Sequence, residues 1–307
     1  MTSVPLPPSS PHKTSTLSEK LSTFAADIKI SHTVFALPWA LLSMALAGQR
    51  TGGLHAGQIG LILLCMVTAR TVAMAANRIF DAAIDARNPR TARRAIPSGK
   101  LSRGFMWAML AACVAGFGLS TAGFGFFYSN WLPLMLSAPV LVFVSLYPFL
   151  KRFSAICHYY LGTALALAPV CAWVAIAGRI APPPLWMFGA VLLWTAGFDI
   201  LYACQDYASD LAEGLFSVPS KFGIAKSLWI ARVTHAISFA ALLALRFTTP
   251  EFGWPFTIAC TIAGLLLVIE HSLVKPNDLS KIGLAFFTIN GIISVLIGTL
   301  GMLDVYF

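Results

Sequence analysis

The chain has 307 residues, of which 58% are hydrophobic and only 11% charged, whereas a water-soluble surface needs typically about a quarter of its residues charged. This balance excludes a soluble globular protein and makes the bilayer the solvent. Six cysteines, Cys65, Cys113, Cys157, Cys171, Cys204 and Cys260, lie in apolar runs without CxxC or CxxH spacing, which argues against a zinc site or a disulfide framework. The net charge of +9 is read as a topology signal, so no nucleic-acid partner is inferred from it.

In chain order, residues 1–28 are rich in Ser, Thr and Pro and hold no apolar signal-peptide core, so they are expected to form a disordered cytoplasmic tail. Residues 29–307 are expected to form a single transmembrane domain. A crossing needs about 20 apolar residues, and nine runs near that length follow. They centre on Val34 to Ala47, Ile59 to Ala76, Phe105 to Phe127, Leu132 to Leu150, Ile156 to Ala177, Leu185 to Leu201, Leu228 to Leu245, Phe256 to Leu273 and Ile282 to Leu303. The expected fold class is therefore an all-α polytopic membrane protein with nine transmembrane helices. Basic residues other than Arg50, Arg70, Arg179 and Arg246 fall in the tail or in the connections after the second, fourth, sixth and eighth runs. By the positive-inside rule the N-terminus is cytoplasmic and Phe307 lies outside.

Acidic residues number only 12, and six of them occupy two short stretches: Asp81 and Asp85, then Asp199, Asp206, Asp210 and Glu213. In Asn77-x3-Asp81-x3-Asp85 the polar residues recur every fourth position and share one face of a helix, which Asn88-Pro89 then ends. Spacings of seven and eleven from Asp199 return Asp206 and Asp210 to nearly the same angle if the helix continues. Carboxylates stacked at a membrane-embedded helix end repel one another and resist desolvation, so a divalent cation is expected between them. Oxygen-only ligands favour magnesium, manganese or calcium over zinc, and magnesium characteristically bridges one or two carboxylates to phosphate oxygens. Arg78, Arg87, Arg90, Arg93, Arg94 and Lys100, with Lys151 and Arg152, are the basic groups available to hold those phosphates.

These residues carry a resemblance. Asn77-x3-Asp81-x3-Asp85, Arg93-Arg94-Ala-Ile-Pro97-Ser98-Gly99 and Tyr202-x3-Asp206-x3-Asp210 resemble the UbiA superfamily of intramembrane aromatic prenyltransferases. His32-Thr-Val-Phe-Ala-Leu-Pro38, Tyr147-Pro-Phe-Leu-Lys151-Arg152 and Ser220-Lys-Phe-Gly223 extend the match, in the family's order, over most of the chain. The resemblance implies nine helices around a central cavity that opens toward the bilayer. It implies Mg2+ held by Asn77, Asp81, Asp85, Asp206 and Asp210, with Tyr202 and Lys151 at the diphosphate. Asp199 then matches an acid near the aromatic acceptor and Arg70 an arginine inside the cavity. Glu213-Gly-Leu-Phe-Ser-Val-Pro-Ser220 departs from the more basic sequence of dedicated 4-hydroxybenzoate enzymes and is similar to a bacterial branch that prenylates 1,4-dihydroxy-6-naphthoate in menaquinone synthesis by the futalosine route.

The expected reaction is Mg-dependent transfer of a polyprenyl group from polyprenyl diphosphate to an aromatic acid in ubiquinone or menaquinone synthesis, in the bacterial inner membrane. Haem, chlorin or lipid acceptors remain open within the superfamily. A duplication relating helices 1–4 to helices 5–8 fits the two acidic motifs. Arg70 reads equally as a cation for an acceptor carboxylate or as a group bonded to backbone carbonyls. Tyr147 and Tyr202 read equally as interfacial aromatics or substrate contacts. His32 reads as a helix-start residue, while His158 and His235 receive no role. A secondary transporter is the rival of another class, but its charges belong near the midplane on interrupted helices.

Overall fold

The structure, a computed structural model, describes residues 16–307, without the side chains of residues 30–32. It is helical throughout this range apart from turns and one isolated bridge between Lys275 and Asp278.

Part of the expected tail is helix: α1 spans Leu17–Asp27, and residues 1–15 lie outside the described range. The reason is local. Thr16 and Glu19 form a reciprocal capping box, Thr16 Oγ1 accepting from the Glu19 N–H (3.3 Å) and Glu19 Oε2 from the Thr16 N–H (2.8 Å). Phe24 and Ile28 are then buried among Ile79, Ala95 and Met106. Arg78 crosses to Asp27, donating to its carboxylate at 3.1 Å and its carbonyl at 2.8 Å, and Asp27 Oδ1 accepts from the Ala95 N–H at 2.8 Å.

The long helices follow the nine apolar runs: α2 (Leu37–Thr51), α3 (Ala56–Arg87), α4 (Arg103–Tyr128), α5 (Leu132–Leu150), α6 (Cys157–Ala177), α7 (Pro182–Ala203), then, after the short α8 (Tyr207–Ala212) and α9 (Val218–Phe222), α10 (Ile224–Thr248), α11 (Trp254–Leu273) and α12 (Asn290–Tyr306). Among the described residues, eight helical segments are long and apolar enough to cross a membrane, the last of them, Leu284–Tyr306, joining the π-helical turn Leu284–Ile289 to α12. The ninth, α2, has 15 residues and is lengthened by the 3-10 turn Ile30–Phe35 before it. Its 15 residues rise about 22 Å and the turn adds about 12 Å, near the ~30 Å hydrocarbon thickness.

Two departures from regularity position the chemistry. With 32 residues, α3 is about 48 Å long, longer than the ~30 Å hydrocarbon thickness, and its apolar stretch Ala56–Phe80 ends just before Asp81. At the same end α7 stops at Ala203, and a 3-10 turn covers Cys204–Asp206. The turn departs from the continuous helix that the stripe assumed, yet Asp199, Asp206 and Asp210 all line one cavity.

The largest apolar core joins α2, α6, α7, α10, α11 and α12 around Trp39, Trp194, Phe198 and Phe256. Within it Trp194 Nε1 donates to Asn290 Oδ1 (2.6 Å), and Asn290 Nδ2 donates to Glu270 Oε1 (2.7 Å), the kind of polar tie that holds helices where lipid offers no hydrophobic drive.

Candidate active site

A chamber of about 470 Å³ lies between α3, α4, α5, α6 and α7. Its depth is apolar, walled by Ile62, Phe117, Phe124, Leu136 and Val140; its mouth holds Asp81, Arg90, Lys151, Asp206 and Asp210. A smaller pocket of about 90 Å³ at that mouth is lined by the same five residues together with Asp85, Asn88 and Arg94. The acids of both motifs thus converge on one place, although 118 or more residues separate Asp206 from Asn88 and everything before it.

On α3 the four-residue period stacks Asn77, Asp81 and Asp85 on a buried face, with exposures of 8%, 0% and 3%. Asp81 Oδ2 accepts from Asn77 Nδ2 (2.9 Å) and pairs with Lys151 Nζ (2.6 Å), while Oδ1 takes Arg152 at 3.3 Å. Asp85 takes Arg94 through both oxygens at 2.7 Å. The loop opened by Asn88-Pro89 swings Arg90 across to the second motif, where its Nε (2.8 Å) and Nη2 (2.6 Å) grip Asp206 as a fork. Asn88 Nδ2 adds a bond to Asp206 at 3.2 Å. Asp210 Oδ2 accepts from Ser217 Oγ at 2.8 Å.

Basic groups from neighbouring loops neutralise Asp81, Asp85 and Asp206, and among the described residues no three His, Cys, Asp or Glu side chains are grouped so as to hold one ion. Such a donor set does not form a closed protein cage. It fits magnesium in that ion's usual manner, through one or two hard carboxylates with phosphate oxygens completing the shell. Asn77 has an orienting part here: its Oδ1 accepts from Arg78 (2.7 Å) while its Nδ2 holds Asp81.

The other expected site residues separate. Tyr202 lies beneath Arg90, whose guanidinium carbon is 5.5 Å from the ring centroid. Tyr147 faces the chamber with its hydroxyl 3.9 Å from Met74 Sδ. Arg70 also lines the chamber, but it donates to the carbonyls of Ile28 (3.2 Å) and Lys29 (2.8 Å), so its guanidinium fastens the turn after α1. That turn presents Lys29 to the chamber instead, in a left-handed conformation (φ 49°). Burial, with Arg78, Arg90 and Arg94 close by, pushes the Lys29 ammonium below its ordinary value. Glu213 pairs with Arg87 at 2.7 Å, and that hydrogen bond holds its carboxyl below the usual range. The side chain of His32 lies outside the described residues.

Asp199 meets a partner that the sequence did not suggest: His158 Nδ1 is 2.7 Å from Asp199 Oδ2. Lys29, Asn88 and Ser217 were also missed as site residues. Asn88 alone carried a signal, since it follows the first motif directly and opens the loop that reaches the second.

Helices enclosing a greasy chamber, with a mouth of acids and guanidinium groups, define a membrane protein with a charged site at the end of an apolar cavity. The chain belongs to the UbiA prenyltransferase family, whose model matches residues 36–292, and it is a prenyltransferase. It is 30% identical over 247 residues to the 4-hydroxybenzoate octaprenyltransferase of Alcanivorax borkumensis, a match covering 80% of this chain and 82% of that one. The enzyme of the same name from Nitrosomonas eutropha is 29% identical over 238 residues, covering 77% and 80%. Among solved structures, the apo form of a UbiA homolog from Aeropyrum pernix K1 superposes with a TM-score of 0.79 at 29% identity, covering 90% of this chain and 98% of that one. A UbiA homolog from Archaeoglobus fulgidus, solved with DMAPP and Mg2+, shares the fold at 18% identity, with a TM-score of 0.69 over 92% and 99% of the chains.

Proposed function

We propose that the chain transfers a polyprenyl group from polyprenyl diphosphate to a hydroxylated aromatic acid in respiratory quinone synthesis, using Mg2+. The whole of residues 29–307 would act as one transferase domain in the bacterial inner membrane, with its charged mouth and N-terminus cytoplasmic. The observation that carries this reading is the convergence of Asp81, Asp206, Asp210 and Lys151 on one pocket at the mouth of an apolar chamber. The 4-hydroxybenzoate relatives and the magnesium-bound homolog support it.

The prenyl chain lies along the apolar wall while its head meets the mouth. Asp81, Asp85, Asp206 and Asp210, oriented by Asn77, would hold magnesium, which neutralises charge gathering on the departing diphosphate. Lys151, Arg90 and Arg94 then exchange carboxylate for phosphate oxygens without leaving their places. The wall excludes water from the allylic cation until an electron-rich ring carbon attacks it. No protein nucleophile is required.

An acceptor carboxylate needs a cation, and Lys29 is better placed for it than Arg70, whose hydrogen bonds are committed to backbone. Lys29→Ala should raise KM for the aromatic acid about tenfold, the loss of one charge-assisted hydrogen bond, with little change in kcat. Equal effects on both substrates would remove Lys29 from the acceptor site.

The assignment is tested with membranes containing the protein, magnesium, a labelled polyprenyl diphosphate and either 4-hydroxybenzoate or 1,4-dihydroxy-6-naphthoate. Label should pass to one of the two acids. Label that stays on the diphosphate ester with both acids, bound and unconsumed, would favour a transporter.

A further inference from the structure

The π-helical turn Leu284–Ile289 before α12 is the one stretch of its kind among the described residues. Such turns are rare inside helices and concentrate at functional sites, yet the transfer chemistry above does not call for one here. A single side chain holds it. Asn290, wholly buried, donates through Nδ2 to the Ala285 carbonyl within the turn (3.0 Å) and to Glu270 Oε1 on α11 (2.7 Å), while its Oδ1 accepts from Trp194 Nε1 on α7 (2.6 Å). The turn is thereby bolted to two neighbouring helices. Burying these polar groups is costly unless they are paired, and none of Trp194, Glu270 and Asn290 lines the chamber.

What the turn delivers is Phe286. In an unbroken α-helix Phe286 and Asn290, four residues apart, would share one face, whereas here Asn290 is sealed against α7 and α11 and Phe286 lines the chamber. The Phe286 ring centroid is 4.2 Å from that of Tyr202, with the planes tilted by 33°, and Phe35 and Phe198 each stand 5.4 Å away. Tyr202 in turn meets Arg90, whose guanidinium carbon is 5.5 Å from the ring centroid and whose Nη1 is 3.5 Å from the hydroxyl. The same guanidinium forks onto Asp206. Contacts therefore run unbroken from Asn290 through Phe286 and Tyr202 to the charged mouth.

We propose that Phe286 is a positioning residue for the diphosphate head, acting through Tyr202 on Arg90, and that Asn290 sets it in place by holding the π turn. This inference rests on the transfer reaction proposed above, which gives Arg90 and Asp206 their ligand. When the head group arrives, Arg90 exchanges Asp206 for phosphate oxygens, and during the exchange its guanidinium has no fixed carboxylate to hold it. The Tyr202 ring keeps it over the mouth by cation–π attraction. That ring can do so only while its own place is fixed, and the contact with Phe286 fixes it. Aromatic pairs at this range are worth roughly two- to tenfold in an equilibrium constant. Phe286 and Asn290 themselves stay clear of the reacting atoms.

Phe286→Leu keeps an apolar side chain and removes the ring. With full-length protein in detergent and Mg2+ present, its Kd for inorganic pyrophosphate should rise about tenfold. In membranes KM for the prenyl diphosphate should rise by the same factor, while kcat and KM for the aromatic acid stay within about twofold of wild type. Tyr202→Leu should give a similar rise, and the double variant should bind no more weakly than Tyr202→Leu alone, because one residue acts through the other. Asn290→Ala should lower the thermal midpoint, and its monodisperse fraction should bind pyrophosphate as Phe286→Leu does. Phe286→Leu with wild-type affinity, or additive losses in the double variant, overturns the proposal; wild-type affinity in folded Asn290→Ala overturns the part given to the turn. If wild type binds pyrophosphate and prenylates neither acid, the acceptor reading fails and the binding cycle still decides this one. Absence of pyrophosphate binding in wild type removes both.

Discussion

Asp81→Asn should abolish turnover, lowering the single-turnover rate on the order of 10³-fold, the scale of losing a principal electrostatic group in a water-excluded site. Asp81 is wholly buried, and its two oxygens gather Asn77, Lys151 and Arg152. An amide of the same shape removes the charge and turns an N–H2 toward the Lys151 ammonium or the Asn77 amide, both donors, so the mouth loses its organiser without losing volume. Membrane insertion should survive, because α3 keeps its apolar run. The measurement is transfer of labelled prenyl group beside the yield of monodisperse protein in detergent. Turnover near wild type in this variant would show that the acid cluster is not the reacting head-group site.

Gly162→Ala should disrupt the fold itself. A Cβ at this position would run into the Leu192 carbonyl oxygen, a backbone atom of α7 that no rotamer change moves aside. Helices that close on a glycine contact must separate to admit a methyl group, at a cost of about 3 kcal/mol or more. His158 lies one turn from Gly162 on α6, and Asp199 lies two turns from Leu192 on α7, so parting these helices also pulls apart the 2.7 Å contact between them. Thermal unfolding in detergent should show a large drop in midpoint, with activity lost. Gly60→Ala is the control, since a Cβ there would meet nothing within 4 Å, and it should unfold as wild type does.

The legible parts of the molecule are those governed by one-dimensional rules. Bilayer thickness dictates the length of an apolar run, and the long helices coincide with the nine runs, α2 needing its 3-10 extension and α12 the π-helical turn before it. The i, i+4 period placed Asn77, Asp81 and Asp85 on one buried face. At α7 the helix that the rule assumed is interrupted by a tighter turn that nothing in Cys204-Gln205 announces, although Asp199, Asp206 and Asp210 still line one cavity. The Thr16-x-x-Glu19 capping signature was present but hidden in a stretch whose Ser, Thr and Pro content suggested disorder. Which arginine meets which aspartate is a tertiary fact: Arg90 and Arg94 occupy one loop yet serve opposite motifs. His158, solitary in an apolar helix, has no periodic companion and acquires meaning only through Asp199. Arg70 shows the converse, a cation well placed in sequence whose hydrogen bonds go to Ile28 and Lys29.

The anchoring of α1 bears on how this enzyme is trimmed and tagged. Asp27 receives the buried Arg78 guanidinium, which in turn bonds Asn77 beside Asp81. A shortened version beginning at the first membrane crossing would strip that counter-charge from beneath the first acidic motif and leave a cation stranded in a dry place. Shortened versions should therefore keep Asp27, and affinity handles belong ahead of α1.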